Sequence, residues 1–127
     1  MRCHAPCARE GVTKQQQTIT SLPHHKLIAY QLALALIARF GRMRVTDARC
    51  REHARKSLTS CALNLAEGAG RRSRADKSRV YSIALGDLCE AAAAVEIDAQ
   101  LRGATDELSE FFAAAVRLKN VISRLIH

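Results

Sequence analysis

The chain has 127 residues, 48% of them hydrophobic but only 4% aromatic, with no Trp and two Pro. That length suits one domain burying roughly two thirds of its unfolded surface, and the alanine-rich, aromatic-poor composition favours helices over strands. The formal net charge is +8, and the longest uncharged helical run, "LIAYQLALALIA", falls far short of the roughly 20 apolar residues of a bilayer span, which excludes a transmembrane helix.

Residues 1–22 carry a Gln run, turn formers and no apolar period, and they read as a flexible N-terminal tail. The first residues lack the apolar centre of a secretory signal, so the expected address is cytoplasmic. Five cysteines, an odd number scattered along the chain, read as free thiols in a reducing compartment. "CHAPC", Cys3 to Cys7, has two thiols and one histidine but no second half downstream, and no metal site is assigned to it.

From His24 the pattern turns helical. Leu27, Tyr30, Leu34, Ile37 and Phe40 recur at three- and four-residue spacing, and Gly41 supplies a stop. Between Ile28 and Ala38 only Tyr30 and Gln31 are polar, so apolar surface wraps beyond one stripe and a monomer would leave some of it wet. The second helix is capped by Thr46 and Asp47 and carries an inward stripe of Ala54, Leu58, Cys61 and Leu65. Gly68 and Gly70 are expected to end it by supplying unrestricted φ, so that Gly70→Val would strain the backbone.

Ser73 and Asp76 form a Ser-x-x-Asp start for the third helix, each side chain placed to satisfy a backbone N–H. It runs to about Arg102 with Tyr81, Ala84, Leu88, Ala91, Val95 and Ala99 inward, and Gly103 stops it. Thr105 is expected to cap the last helix, with Asp106 and Glu107 in its first turn and Lys119 and Arg124 near its end. Leu108, Phe111, Ala115, Leu118, Ile122 and Leu125 form its seam. Four helices with short connections predict an antiparallel up-and-down four-helix bundle over residues 23–127.

The charge is uneven. Between Arg39 and Arg79 there are twelve Lys and Arg against four acids, while the other eight basic and eight acidic residues cancel. The whole imbalance therefore lies on the second helix and its flanking turns, and the tip "GRRSRADKSR" projects from one end of the bundle. Guanidinium forks suit phosphate. With no aromatic platform nearby, any nucleic acid would be held by its phosphates, with strong salt dependence and little sequence selectivity.

The run "SCALNLAEGAGRRSRADKSRVYSIALGDLCEA", Ser60 to Ala91, with "HKLIAYQLALAL" from His25, resembles the bacterial 23S ribosomal RNA intervening-sequence family. The typical Ser-Ile, Asn-Ile-Ala-Glu-Gly, Gly-Arg, Ser, Ile-Ala, Gly-Ser and Glu pattern is present as Ser60, Asn64, Ala66, Glu67, Gly68, Gly70, Arg71, Arg72, Ser73, Arg79, Ile83, Ala84, Gly86, Leu88 and Glu90. Ala62 stands where proline is usual, His53 replaces the usual Gln, and Lys77, Ser78 and Asp87 replace apolar or small residues. The resemblance implies a four-helix bundle that forms a homopentamer without enzymatic activity. Accessory proteins of diversity-generating retroelements look like relatives, which implies RNA or DNA and a reverse transcriptase as partners.

Two functional readings follow. In the first, Arg55, Lys56, Arg71, Arg72, Arg74, Lys77 and Arg79 neutralise RNA or DNA phosphates on an oligomeric module. In the second, the bundle is a structural or protein-interaction element whose arginines are solvated or paired with another subunit's Asp87, Glu90 or Glu96. Asn64, Glu67, Gly68, Gly70, Ser73 and Glu90 read as structural, Glu67 pairing with Arg71 and Glu90 accepting from Asn64 or an arginine. No histidine lies three residues after a glutamate, as a di-iron bundle requires, and no glycine-rich phosphate loop follows a strand. No catalytic residue and no cofactor is expected.

Overall fold

The computed structural model describes residues 21–126. The expected tail, residues 1–22, and the Cys3–Cys7 motif lie outside the described residues apart from Ser21 and Leu22. Four α-helices follow a 3-10 turn at Pro23–Lys26: α1 (Ile28–Gly41), α2 (Ala48–Gly70), α3 (Arg74–Arg102) and α4 (Ser109–Leu125). No strand occurs among the described residues, and none of the helices is long and apolar enough to cross a membrane.

Helix α2 begins where Asp47 accepts from the backbone N–H groups of Arg49 and Cys50. Helix α3 begins where the Ser73 hydroxyl accepts from the Asp76 N–H at 3.0 Å; each is a side-chain N-cap. The reciprocal half of the Ser-x-x-Asp arrangement does not form, because the Asp76 carboxylate turns to Arg71 and Arg79 instead. Gly103 closes α3 with φ of 71°, where an L side chain would be strained. The Thr105 cap is not observed. Thr105–Leu108 is a separate 3-10 turn, and α4 starts only at Ser109.

Ion pairs and hydrogen bonds fix how the helices run. Asp47 meets Asp98, His53 meets Glu90, Ser60 meets Asp87 and Lys77 meets Gly68, a series that makes α2 and α3 an antiparallel hairpin. Arg39, late in α1, pairs with Glu110, early in α4, at 2.9 Å. The core between the helices unites Leu36, Leu58, Leu65, Leu88, Val95, Phe111, Leu118 and Ile122 with Ala29, Ala33, Ala54, Ala84, Ala91, Ala99 and Ala115. Alanines at the contact lines let helix axes approach toward the short end of the 8–10 Å range, while each buried leucine contributes about 1.5–3 kcal/mol.

The stripes expected for α2, α3 and α4 are inward, Leu125 only partly so. That of α1 is rotated. Ala29, Ala33 and Leu36 are buried, Leu27, Tyr30, Ile37 and Phe40 are half-buried, and Leu34 is 46% exposed. A helix with a single charged residue offers no polar face to set its orientation, and the small Ala29–Ala33 side permits the closer approach.

One buried carboxylate anchors the α1–α2 connection. Asp98, 1% exposed on α3, accepts from the Asp47 N–H at 2.7 Å and from Arg102 Nε at 2.9 Å. Burial alone would push its carboxyl up, but the Asp47 N–H and the Arg102 guanidinium outweigh that and hold it below the ordinary carboxylate value.

At the other end, neither Gly68 nor Gly70 supplies a positive φ; among the described residues only Gly103 does. The expected role of these two glycines as conformational stops is therefore corrected. Gly68 is needed for space, since a Cβ there would stand 2.6 Å from Cε1 of the buried Tyr81 ring. Gly70 faces open space, so Gly70→Val carries none of the expected φ strain.

Two outcomes test these anchors by thermal and denaturant unfolding. Gly68→Ala should destabilise by about 1–3 kcal/mol through overpacking, whereas Gly70→Ala should be neutral or stabilising by less than about 1 kcal/mol. Asp98→Asn should cost about 2 kcal/mol at neutral pH. Because the folded carboxyl titrates lower than the unfolded one, that difference should begin to shrink once pH falls below about 3.9 and vanish below the folded value.

Candidate functional site

The turn between α2 and α3 concentrates the basic residues, and their surroundings divide them. Arg71 bridges Glu67, one helical turn back, and Asp76, which it reaches at 3.2 Å. Arg79 binds the other oxygen of Asp76 at 3.0 Å. Lys77 donates from Nζ to the carbonyls of Gly68 and Ala69 at 3.2 and 2.8 Å, satisfying carbonyl groups that the end of α2 leaves open. Arg55 is forked onto Glu52 within its own helix. These four candidate phosphate ligands are already engaged inside the chain.

Arg71 is thus a structural link as well as a basic residue. Glu67, Arg71, Asp76 and Arg79 alternate in sign across the turn and hold α2 to α3. The expected Glu67–Arg71 pair forms, whereas Arg72 has no partner among the described residues.

Lys56, Arg72 and Arg74 remain without an ion pair or hydrogen bond among the described residues. Lys56 lines a depression with His53, Ser57, Ser60, Asp87 and Glu90, where the two acids oppose an anion. Arg72 and Arg74 instead line a groove of about 470 Å³ with Lys77, Tyr81, Arg124 and Leu125. Among the described residues, no acidic side chain lines it. Arg124, from the last turn of α4, is the member that sequence reasoning left out of the basic site. Its signal was available: an antiparallel fourth helix must return its C-terminal turn to the end of the bundle that carries the α2–α3 turn.

Tyr81 forms the floor of this groove. Its ring lies against Gly68, it is 4% exposed, and its hydroxyl has no hydrogen-bond partner among the described residues. Burial pushes the phenol above its ordinary pKa, so it stays a protonated donor at neutral pH.

The polar motif residues Asn64 and Glu90 separate. Asn64 donates to Asp87 at 2.8 Å, and the Ser60 hydroxyl donates to the same oxygen at 2.8 Å, binding α2 to α3 through Asp87. Glu90 pairs with His53 and not with Asn64 or an arginine, a correction that follows from its position one helical turn beyond Asp87. Cys50, His53 and Glu90 share a groove of about 400 Å³ with Ile97 and Leu101. Burial, with Asp47 and Asp98 nearby, pushes the Cys50 thiol up, so it is not the thiolate a nucleophile must be. Burial pushes the Cys61 thiol up to about 12.

The architecture and the site together define a class: an all-α bundle of four helices whose α2–α3 turn presents arginines in a groove that, among the described residues, no acidic side chain lines. The family model described as 23S rRNA-intervening sequence protein matches residues 25–124, and the chain belongs to that family. The match spans α1 to α3 entirely and α4 to its penultimate residue. Neither a curated protein nor a solved structure matches the chain.

Proposed function

We propose that this protein is a non-enzymatic, cytoplasmic homo-oligomer, a pentamer as the family resemblance suggests, which binds RNA or DNA through phosphate contacts at the α2–α3 tip. The observation that carries the reading is the pair Arg72 and Arg74, without a partner among the described residues and joined by Arg124 in a groove that no described acidic side chain lines. A guanidinium tied to a carboxylate gains little by exchanging it for phosphate, whereas free guanidiniums release counterions and gain affinity. The nucleic-acid contact therefore narrows from seven residues to Arg72, Arg74 and Arg124, with Lys56 outside it.

Self-association is supported by apolar side chains left in water on every helix. Ile28 and Leu34 on α1, Leu63 on α2, Ile83, Ile97 and Leu101 on α3, and Val116 on α4 are exposed. Helix α3 is apolar on two faces, and only one of them meets the core. The second reading, a structural or protein-interaction bundle with no nucleic-acid ligand, draws on the four basic residues already neutralised within the chain. A reverse transcriptase is the protein partner that the resemblance to retroelement accessory proteins suggests.

Filter binding of ribosomal RNA fragments across a salt series decides between the two readings. The nucleic-acid reading expects linear loss of log affinity with log salt, and a slope shallower by about 2 in the Arg72→Ala/Arg74→Ala double variant. Absence of binding at low salt would sink it. Light scattering at micromolar concentration should give a mass several times the 14.0 kDa of one chain, and a monomer would contradict the assembly.

A further inference from the structure

The groove at the tip holds more than open arginines. Its cations come from two separate parts of the chain: Arg72, Arg74 and Lys77 around the start of α3, and Arg124 at the end of α4. Two hydrogens of the Lys77 ammonium are spent on the Gly68 and Ala69 carbonyls, which fixes the charge at the groove and leaves one donor. Tyr81 lines the same space; the residue is more than nine-tenths buried, and its hydroxyl has no partner among the described residues. A buried donor left unpaired inside a protein calls for an acceptor from elsewhere, and here Arg72, Arg74, Lys77 and Arg124 line the same groove as Tyr81.

We propose that this groove binds a terminal phosphate, a phosphomonoester dianion, with Arg72, Arg74, Lys77 and Arg124 neutralising it and the Tyr81 hydroxyl donating to one of its oxygens. Charge selects the monoester. A backbone phosphodiester brings one negative charge and two free oxygens, while a monoester carries about 1.5–2 charges and three strong acceptor oxygens. Four convergent cations match the second better. The volume of about 470 Å³ admits a nucleotide as well as a bare phosphate, and Leu125 with the edge of the Tyr81 ring offers an apolar wall to the sugar or base that follows. The site deepens the nucleic-acid reading by assigning it a strand end, yet it would equally accept a small phosphate compound of the same chemistry.

Fluorescence anisotropy with the full chain separates these sources. Three single-stranded oligonucleotides of one sequence are compared, carrying a 5′-phosphate, a 3′-phosphate or hydroxyls at both ends, with inorganic pyrophosphate as competitor. At least one phosphorylated end should bind about tenfold tighter than the hydroxyl-ended strand, the scale of one lost hydrogen bond to a charged group. Tyr81→Phe keeps the ring on Gly68 and should erase that preference while leaving hydroxyl-ended binding unchanged. Arg124→Gln, on an exposed side chain, should also erase the preference, while weakening hydroxyl-ended binding through its lost backbone contact, and serves if the tyrosine variant unfolds in a circular-dichroism melt. Equal affinity for all three strands, or a preference that survives both substitutions, overturns the site while the backbone-phosphate reading stands. Pyrophosphate binding seen by isothermal titration calorimetry and lost in both variants, with no oligonucleotide bound, retains the site and removes the nucleic-acid reading. Binding of neither overturns both.

Discussion

The contact between Tyr81 and Gly68 sets the geometry on which the functional end of this molecule depends. A helix side chain at position 68 would hold the aromatic ring away, since its Cβ would stand 2.6 Å from the ring. With glycine there, α3 lies close enough to α2 for Lys77 to reach the Gly68 and Ala69 carbonyls and for Arg71 to span Glu67 and Asp76. The same approach buries the ring of Tyr81, which also lines the groove. One missing side chain thus positions a turn, its ion-pair chain and the floor of the site.

The opposite end of the hairpin is held by different chemistry. Asp98 binds the N–H of Asp47 and, through it, the start of α2, while Asp47 caps that helix with its own carboxylate. Steric fit at one end and a buried charged acceptor at the other leave the α2–α3 hairpin little freedom to slide. The Asp87 contacts to Ser60 and Asn64 fix the register midway. These fastenings all lie on the α2–α3 hairpin, while Arg39–Glu110 ties α1 to α4.

Much of this was legible in the sequence because helix periodicity and capping are local. The stripes of α2, α3 and α4, the Ser73 and Asp47 caps and the Gly103 stop all follow from residues within a few positions of one another. Helix α1 was not legible in the same way: with apolar residues all round, Leu34 and Leu36 compete for the core, and the choice falls to the Ala29–Ala33 face that neighbours can approach. Gly68 misleads for a related reason. A glycine near a helix end reads as a stop, and only the tertiary position of Tyr81 shows that it is a gap for a ring. The site was half legible, since Arg72 and Arg74 lie in the basic run, whereas Arg124 joins them only once the chain has crossed the bundle four times.

Charge count and charge availability differ in this protein, and the difference decides what the basic tip can do. The sequence places +8 between Arg39 and Arg79, but at the turn itself Arg71, Lys77 and Arg79 are committed to Glu67, Asp76 and two carbonyls. Those pairs are largely exposed, so they contribute modestly to stability and are weakened by salt. Their larger effect is geometric. By taking up both acids of the turn, they leave neither Glu67 nor Asp76 free to quench Arg72, Arg74 and Arg124. The committed residues therefore keep the uncommitted ones open to an anion from outside.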